Sequence, residues 1–144
     1  MALKKISNGK VFLIEDDDVL SQALTSFLTN AGYKVFQAAT KRIALKVITK
    51  VSFDYILVDL NLPDVHGTEI IRWIRKTVCR EDVPVIVISG NEDAESIKNA
   101  LSCGADYYLI KPFSIVELLE RMFILNLNKG HRPVLKRPIV NNVA

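Results

Sequence analysis

Residues 53 to 67 read Phe-Asp-Tyr-Ile-Leu-Val-Asp-Leu-Asn-Leu-Pro-Asp-Val-His-Gly. The four residues before Asp59 form a short apolar run, which is typical of a parallel strand buried on both faces. Pro63 and Gly67 indicate that a loop follows. In an open α/β sheet, ligands bind in the crevice at the carboxyl ends of the strands. Asp59 is therefore the first candidate for chemistry, although a lone aspartate at a strand end more often caps a turn or a helix.

Five strand segments alternate with five helical segments along the chain. Apolar residues at helical spacing predict the buried stripes of the helices, which include Phe27, Ile43 and Phe123. Thr40 and Ser114 are expected to cap two of these helices. Because neighbouring parallel strands need a helical return, the pattern predicts a single α/β domain with a flavodoxin-like, doubly wound, five-stranded parallel sheet of order 2-1-3-4-5. The strand segments are residues 11–14, 33–38, 55–58, 85–88 and 107–110.

The composition is that of an ordinary globular protein. The 144 residues are 49% hydrophobic and 24% charged, which is enough for a real core and excludes a wholly disordered chain. The first residues lack the apolar core of a signal peptide, and no apolar run approaches the roughly 18 residues that span a membrane, so a cytoplasmic protein is expected. Cys79 and Cys103 have no metal-ligand or redox spacing and are interpreted as small apolar fillers.

The net charge of +3 is located at the C-terminal end. Four of the 19 basic residues and none of the 16 acidic ones lie in residues 129–144, which leaves 15 basic and 16 acidic groups before them. A basic, proline-containing stretch is more often a solvated linker than a nucleic-acid arm, and no groove-reading motif accompanies it. We expect an N-terminal extension at 1–9, a folded domain at 10–128, a tail or linker at 129–144, and no contact of this chain with nucleic acid or a membrane.

Polar side chains follow four of the predicted strands. Glu15 and Asp16 follow the first strand, Asp59 ends the third, Ser89 follows the fourth and Lys111 the fifth. Each one alone has an ordinary explanation, such as a helix cap or a solvated strand end. Because the carboxyl ends of parallel strands meet at one edge of the sheet, the set indicates a functional site.

This combination of groups is suited to phosphoryl chemistry. Three carboxylates at one edge repel one another unless a hard cation neutralises them, and oxygen ligands favour Mg²⁺, with Mn²⁺ as an alternative. Such a cation also binds a substrate phosphate. A carboxylate can act as the nucleophile and form an aspartyl-phosphate, while the cation, a lysine and a hydroxyl stabilise the charge on the phosphoryl oxygens.

The chain resembles the receiver domains of bacterial two-component response regulators, a CheY-like superfamily, over roughly residues 10 to 127. The resemblance lies in the acidic pair Glu15-Asp16, the acceptor Asp59 with its Pro-Asp-Val-His-Gly loop, Ser89, and the sequence Lys111-Pro-Phe. It implies that Asp59 accepts a phosphoryl group from a phosphohistidine on a sensor histidine kinase or a histidine phosphotransfer protein. It also implies a signalling role, with self-catalysed phosphorylation and dephosphorylation at most, and not that of an enzyme.

The resemblance assigns a role to each residue of the set. Asp16, Asp59 and the backbone carbonyl of Asn61 are expected to hold Mg²⁺, and Glu15 is expected to act on the cation directly or through water. Lys111 is expected to pair with the phosphoryl oxygens. Glu15 departs from the family pattern, in which aspartate is commoner, and its longer side chain could move the metal contact outward.

The resemblance also implies a route for the signal. Ser89 would donate to a phosphoryl oxygen, draw the loop that follows it inward and open room for an inward shift of Tyr108. Gly90 stands where alanine is commoner and leaves this loop freer. The surface formed by the fourth helix, fifth strand and fifth helix would then bind a downstream effector or a second copy of the chain.

Three other functions fit the sequence less well. A pseudo-receiver, which binds partners without phosphorylation, normally lacks the acceptor or the lysine, and this chain has both. An FMN-binding flavodoxin needs a first loop rich in hydrogen-bond donors rather than acids. An aspartyl-phosphate phosphatase of the haloacid dehalogenase type needs its nucleophile at the end of the first strand in an Asp-x-Asp pattern, which Glu15-x-Asp17 does not fit well. His66 and His131 are interpreted as surface residues. The chain is expected to be either a stand-alone receiver or part of a longer protein.

Overall fold

The computed structural model describes residues 8–77, 82–128 and 139–140. The expectations for Cys79, for His131 and for the basic residues of the tail fall outside these ranges. None of the helices within them combines the length and the hydrophobicity that a bilayer-spanning segment requires.

The described chain forms one parallel sheet and five helices. The strand order is β2-β1-β3-β4-β5-β6, so the predicted order 2-1-3-4-5 is confirmed. The additional β6 has two residues and lies parallel to β5. The strands are β1 (Gly9–Ile14), β2 (Tyr33–Ala38), β3 (Tyr55–Asp59), β4 (Val85–Ser89), β5 (Tyr107–Ile110) and β6 (Ile139–Val140). The helices are α1 (Asp18–Asn30), α2 (Lys41–Ile48), α3 (Gly67–Thr77), α4 (Ala94–Ser102) and α5 (Ile115–Leu127).

The sheet separates two hydrophobic clusters, because successive side chains of a strand point to opposite faces. Phe12 and Ile56 belong to the cluster beneath α2, α3 and α4, whereas Leu13 and Leu57 belong to the cluster beneath α1 and α5. Every residue of β3 and β4 is buried. Full burial of a large aliphatic side chain contributes about 1.5–3 kcal/mol to stability. The buried side chains of β3 and β4 therefore hold these strands, and Asp59 at the end of β3, in a fixed position.

Two predicted helix caps are confirmed. The Oγ of Thr40 accepts the backbone N–H of Ile43 at 3.2 Å at the start of α2. The Oγ of Ser114 accepts the N–H of Glu117 at 3.1 Å at the start of α5. These caps fix where two of the loops at the carboxyl edge of the sheet end.

The predicted burial of three apolar side chains is wrong. Phe27 is 52% exposed, Ile43 is 44% exposed and Phe123 is 62% exposed. Each lies beside the buried stripe of its helix, whose centre is formed in α1 by Leu24 and Leu28. A helix packed on a sheet buries a limited arc, so apolar residues at the side of that arc stay in contact with solvent.

Candidate functional site

Four polar side chains meet at the carboxyl edge of the sheet. One carboxylate oxygen from each of Glu15, Asp16 and Asp59 lies within 4.8 Å of the others. The Nζ of Lys111 lies 3.3 Å from Oε2 of Glu15 and 3.3 Å from Oδ2 of Asp59. We call these four residues the charged rim. The strand register produces it, since β1, β3 and β5 end at the same edge.

Asp59 is held at the centre of the rim by two hydrogen bonds. Its Oδ1 accepts the backbone N–H of Asn61 at 3.0 Å, and its Oδ2 accepts from Nζ of Lys111 at 3.3 Å. The residue is only 5% exposed. Asp59 therefore does cap the turn that follows it, as an isolated aspartate would, and it belongs to the site as well. The role of the Asn61 carbonyl as a metal ligand stays a prediction.

Gly67 allows the β3–α3 loop to pack against the end of β3. A Cβ at this position would lie 2.4 Å from the carbonyl oxygen of Asp59 and 2.9 Å from Cα of Leu60. The N–H of Gly67 donates to the carbonyl of Leu60 at 2.8 Å, and Asn61 forms a bridge with His66. Sequence reasoning treated Gly67 only as a sign of a loop and missed this contact with the backbone of the acceptor residue.

Asp64 is a second residue whose part in the site was missed. Its carboxylate accepts the backbone N–H groups of Lys41 at 2.9 Å and Arg42 at 3.3 Å. The loop that follows Asp59 is therefore anchored to the start of α2. The hydrogen bond to Lys41 is the main reason that the pKa of Asp64 is lowered.

Glu15 and Lys111 perturb each other's protonation. Burial raises the pKa of Glu15 to about 7, the negative charge of Asp59 adds to the rise, and Lys111 opposes it. Burial on its own lowers the pKa of Lys111, but the charges of Asp59 and Glu15 outweigh it, so this pKa is raised. The rim therefore holds more negative charge than its lysine compensates. The peptide bond between Lys111 and Pro112 is cis.

The donor set of the rim fits a divalent cation bound by oxygen atoms. Three ionised carboxylates and one ammonium leave two negative charges, which one divalent ion would balance. Glu15 and Asp59 are buried, whereas Asp16 is exposed, so a cation here would keep contact with water. Glu15, Asp16 and Asp59 are the residues that would hold such an ion.

Ser89 and Tyr108 lie beside the rim on the next two strands. The side chain of Ser89 is fully buried, and its Oγ accepts the N–H of Asn91 at 3.1 Å. The ring of Tyr108 is also fully buried, and its hydroxyl donates to the carbonyl of Asn91 at 2.7 Å. Burial raises the pKa of Tyr108. The ring is already buried and bonded to the loop between β4 and α4 in this structure. A shift of the ring on phosphorylation stays a prediction.

Comparison with known proteins supports the same interpretation of the site. The family model for the response regulator receiver domain matches residues 11–123. The chain is 35% identical over 113 residues to the transcriptional regulatory protein CrdR of Helicobacter pylori, covering 78% of this chain and 53% of CrdR. It spans about half the length of the curated relatives it matches.

Solved structures agree with the sequence comparisons. The receiver domain of the Francisella response regulator 1452 superposes with a TM-score of 0.77 at 31% identity, covering 84% of this chain and 98% of that one. The chemotaxis response regulator CheY4 of Vibrio cholerae gives a TM-score of 0.76 at 29% identity, covering 81% and 97%. Since the family model covers most of the chain, and the rim has the acids and the lysine at its strand ends, this chain belongs to the response regulator receiver domain family.

Proposed function

We propose that this chain is the phosphoacceptor module of a two-component response regulator, with Asp59 as the acceptor. Receiver domains are signalling modules and not classical enzymes. The response regulators that this chain resembles imply a histidine kinase as its partner. The observation that carries the proposal is the position of the Asp59 carboxylate. It is buried at the end of a central strand, 3.3 Å from a lysine ammonium and beside two further carboxylates.

The proposed reaction moves a phosphoryl group from nitrogen to oxygen. A carboxylate oxygen of Asp59 forms a bond to phosphorus as the bond between phosphorus and the imidazole nitrogen of the donor breaks, and that nitrogen then takes a proton from water. The hydrogen bond from Asn61 orients the carboxylate for this attack. The product is an aspartyl-phosphate, and the donor is a sensor histidine kinase or a histidine phosphotransfer protein.

Two residues of this chain would stabilise the transferred group. Lys111 already lies between Glu15 and Asp59, so its ammonium needs little movement to reach a phosphoryl oxygen. The Oγ of Ser89 accepts from Asn91, which leaves its own proton for donation to another phosphoryl oxygen. A small rearrangement would therefore provide both contacts.

Glu15, Asp16 and Asp59 would hold Mg²⁺, or Mn²⁺ as a substitute, together with the carbonyl of Asn61. The bound cation would supply charge neutralisation for the transferring oxygens. Because Glu15 is buried and its pKa is raised to about 7, this residue would lose its proton when the cation binds.

An apolar surface beside the rim would receive the phosphohistidine protein. A cavity of about 450 Å³ lies between α1 and the start of α5. It is lined by Leu20, Phe27 and Phe113 and by the rim-side polar residues Asp17 and Lys111. Since the cavity shares Lys111 with the rim, a partner bound there would hold its histidine close to Asp59.

The output would leave through the surface formed by α4, β5 and α5, by binding an effector or a second copy of this chain. We include Ser89 and Tyr108 as the switch that changes this surface. CrdR is a transcriptional regulatory protein that extends well beyond the matched region, and an effector domain in the same polypeptide is one form of this proposal. The proposal places the signalling in the cytoplasm, without direct binding of nucleic acid or membrane by these residues.

The test is phosphorylation by acetyl phosphate in the presence of Mg²⁺, followed by intact-mass measurement. We expect one phosphoryl adduct on the parent, none on Asp59→Asn, and the parent result for Asp18→Asn. Asp18 is a suitable control because it is exposed and lies near the acidic pair, outside the charged rim. An adduct on Asp59→Asn would contradict the acceptor assignment. A folded parent without any adduct would favour the pseudo-receiver, and turnover in a separate assay with a small phosphate monoester would favour a phosphatase.

A further inference from the structure

Asn91 joins the switch residues to the start of α4. Its backbone N–H donates to Oγ of Ser89 at 3.1 Å, and its carbonyl accepts from the hydroxyl of Tyr108 at 2.7 Å. Its side chain forms two further bonds on the other side of the loop. Oδ1 accepts the N–H of Asp93 at 3.2 Å, and Nδ2 donates to Oγ of Ser96 at 3.0 Å. One residue therefore contacts β4, β5 and α4.

The two side-chain bonds end on the cap of α4. Asp93 is the N-cap residue, and its carboxylate accepts both the N–H and the hydroxyl of Ser96 at 2.9 Å. The amide of Asn91 adds a donor and an acceptor to this pair and closes a ring of hydrogen bonds around the first turn. A side chain that both donates and accepts is needed to close it.

The neighbouring backbone gives little support to the same connection. Gly90 separates Ser89 from Asn91, it is exposed, and a Cβ placed on it would have no heavy atom within 4 Å. The chain can therefore turn at Gly90 without disturbing α4. The two bonds made by the Asn91 side chain connect the loop to the start of α4 in addition to the backbone.

We propose that Asn91 is a positioning residue that couples Ser89 and Tyr108 to α4. The inference rests on the proposed function and specifies how its signal reaches the α4 surface. When the hydroxyl of Ser89 turns toward a phosphoryl group, the N–H bonded to its Oγ moves with it, and the amide of Asn91 moves Asp93 and Ser96. Any residue except proline could keep the two backbone bonds at position 91, but few would keep the connection to the helix.

The first test compares amide NMR shifts with and without Mg²⁺ and beryllofluoride, a phosphoryl mimic. In the parent we expect shifts at Asp59, Lys111 and Ser89 and throughout α4. In Asn91→Ala the shifts at the rim should persist, whereas the mean shift across α4 should fall to about half or less. Asn99→Ala is the matched control, because Asn99 is an exposed residue of α4 whose side chain makes none of these bonds. It should respond like the parent.

The second test asks whether Asn91 acts through Ser96. Ser96→Ala removes one of the two side-chain bonds and should reduce the α4 response in part, and the double variant should lose no more than Asn91→Ala alone, because Asn91→Ala already removes both bonds. Hydrogen exchange of the α4 amides without beryllofluoride separates coupling from simple capping. Faster exchange in Asn91→Ala, combined with a full α4 response to beryllofluoride, would show that the side chain only caps the helix. That result would overturn the inference.

The failure of the inference differs from the failure of the proposed function. If the parent responds in α4 and Asn91→Ala responds equally, the coupling role is wrong and the phosphoacceptor assignment stands. If the rim of the parent does not respond to Mg²⁺ and beryllofluoride, the proposed function is wrong, and the coupling role is wrong with it.

Discussion

Opposite edges of the sheet each hold a buried cluster of charges, and the basic groups of the two clusters differ in exposure. At the carboxyl edge, Lys111 lies 3.3 Å from each of two carboxylates, and a third carboxylate is nearby. At the amino edge, Nη2 of Arg75 lies 2.9 Å from Oδ2 of Asp106. The lysine side chain is 28% exposed, whereas the arginine and aspartate side chains are 12% and 1% exposed.

The amino-edge pair is supported from several directions. The guanidinium of Arg75 donates to the carbonyls of Gly104 and Val83, and the Asp106 carboxylate also accepts the N–H of Val85. These bonds join α3 to the starts of β4 and β5. A closely buried pair with many hydrogen bonds stabilises the fold, whereas a partly open cluster of several carboxylates around one lysine retains affinity for a ligand.

The largest effect is expected from breaking the amino-edge pair. Arg75→Ala should lower the free energy of unfolding by about 3–5 kcal/mol, because it leaves a buried carboxylate without its charged partner. Urea denaturation measures this loss. Phosphorylation of the fraction that remains folded should be normal, since Arg75 lies far from the rim along β4 and β5.

A matched control for Arg75→Ala is Lys41→Ala. Lys41 and Glu69 form an ion pair of 3.4 Å whose side chains are 37% and 57% exposed. Its removal should cost no more than about 1 kcal/mol, because water screens exposed charges. Equal losses in the two variants would refute the contrast between buried and exposed pairs.

The second effect concerns the backbone beside Asp59. Gly67→Ala should lower the free energy of unfolding by about 1–3 kcal/mol, because the new methyl group would overlap the backbone of β3. The overlap should also displace Asp59 and slow its phosphorylation by acetyl phosphate. Gly90→Ala introduces the same methyl group where no heavy atom lies within 4 Å, so phosphorylation should proceed at the parent rate. A slow Gly90→Ala variant or a normal Gly67→Ala variant would contradict the packing argument.

The strand order of the sheet and the residues that form the charged rim could be predicted from the sequence. Glu15, Asp59 and Lys111 follow apolar runs, and parallel topology alone puts the ends of such runs at one edge. Local chemistry also predicted the caps at Thr40 and Ser114, because a cap depends on residues only three apart.

Features that depend on distant parts of the chain were not predicted. Arg75 and Asp106 are 31 residues apart, and neither belongs to a periodic pattern that would indicate the pair. The strand β6 is too short to form a recognisable apolar run. The exposure of Phe123 depends on which arc of α5 meets the sheet, and apolar periodicity does not specify the edges of that arc.

The third effect is a pH dependence of the free energy of unfolding that arises at the charged rim. Glu15 ionises near its usual value of 4.5 in the unfolded chain and at about 7 in the folded chain without metal. Between these values the folded state binds more protons, so the free energy of unfolding should fall as pH rises, by at most about 1.4 kcal/mol per pH unit for one proton.

Glu15→Gln should remove this fall, because the amide does not titrate, and its stability relative to the parent should therefore increase between pH 4.5 and about 7. Saturating Mg²⁺ should also remove much of the fall in the parent, since a cation favours the ionised carboxylate and lowers its pKa. Thermal unfolding at several pH values, with EDTA and then with Mg²⁺, measures both effects. A parent and a Glu15→Gln variant with parallel pH profiles in EDTA would show that the extra proton of the folded state is not bound by Glu15. The contrast between the two edges of the sheet would then have to rest on geometry alone.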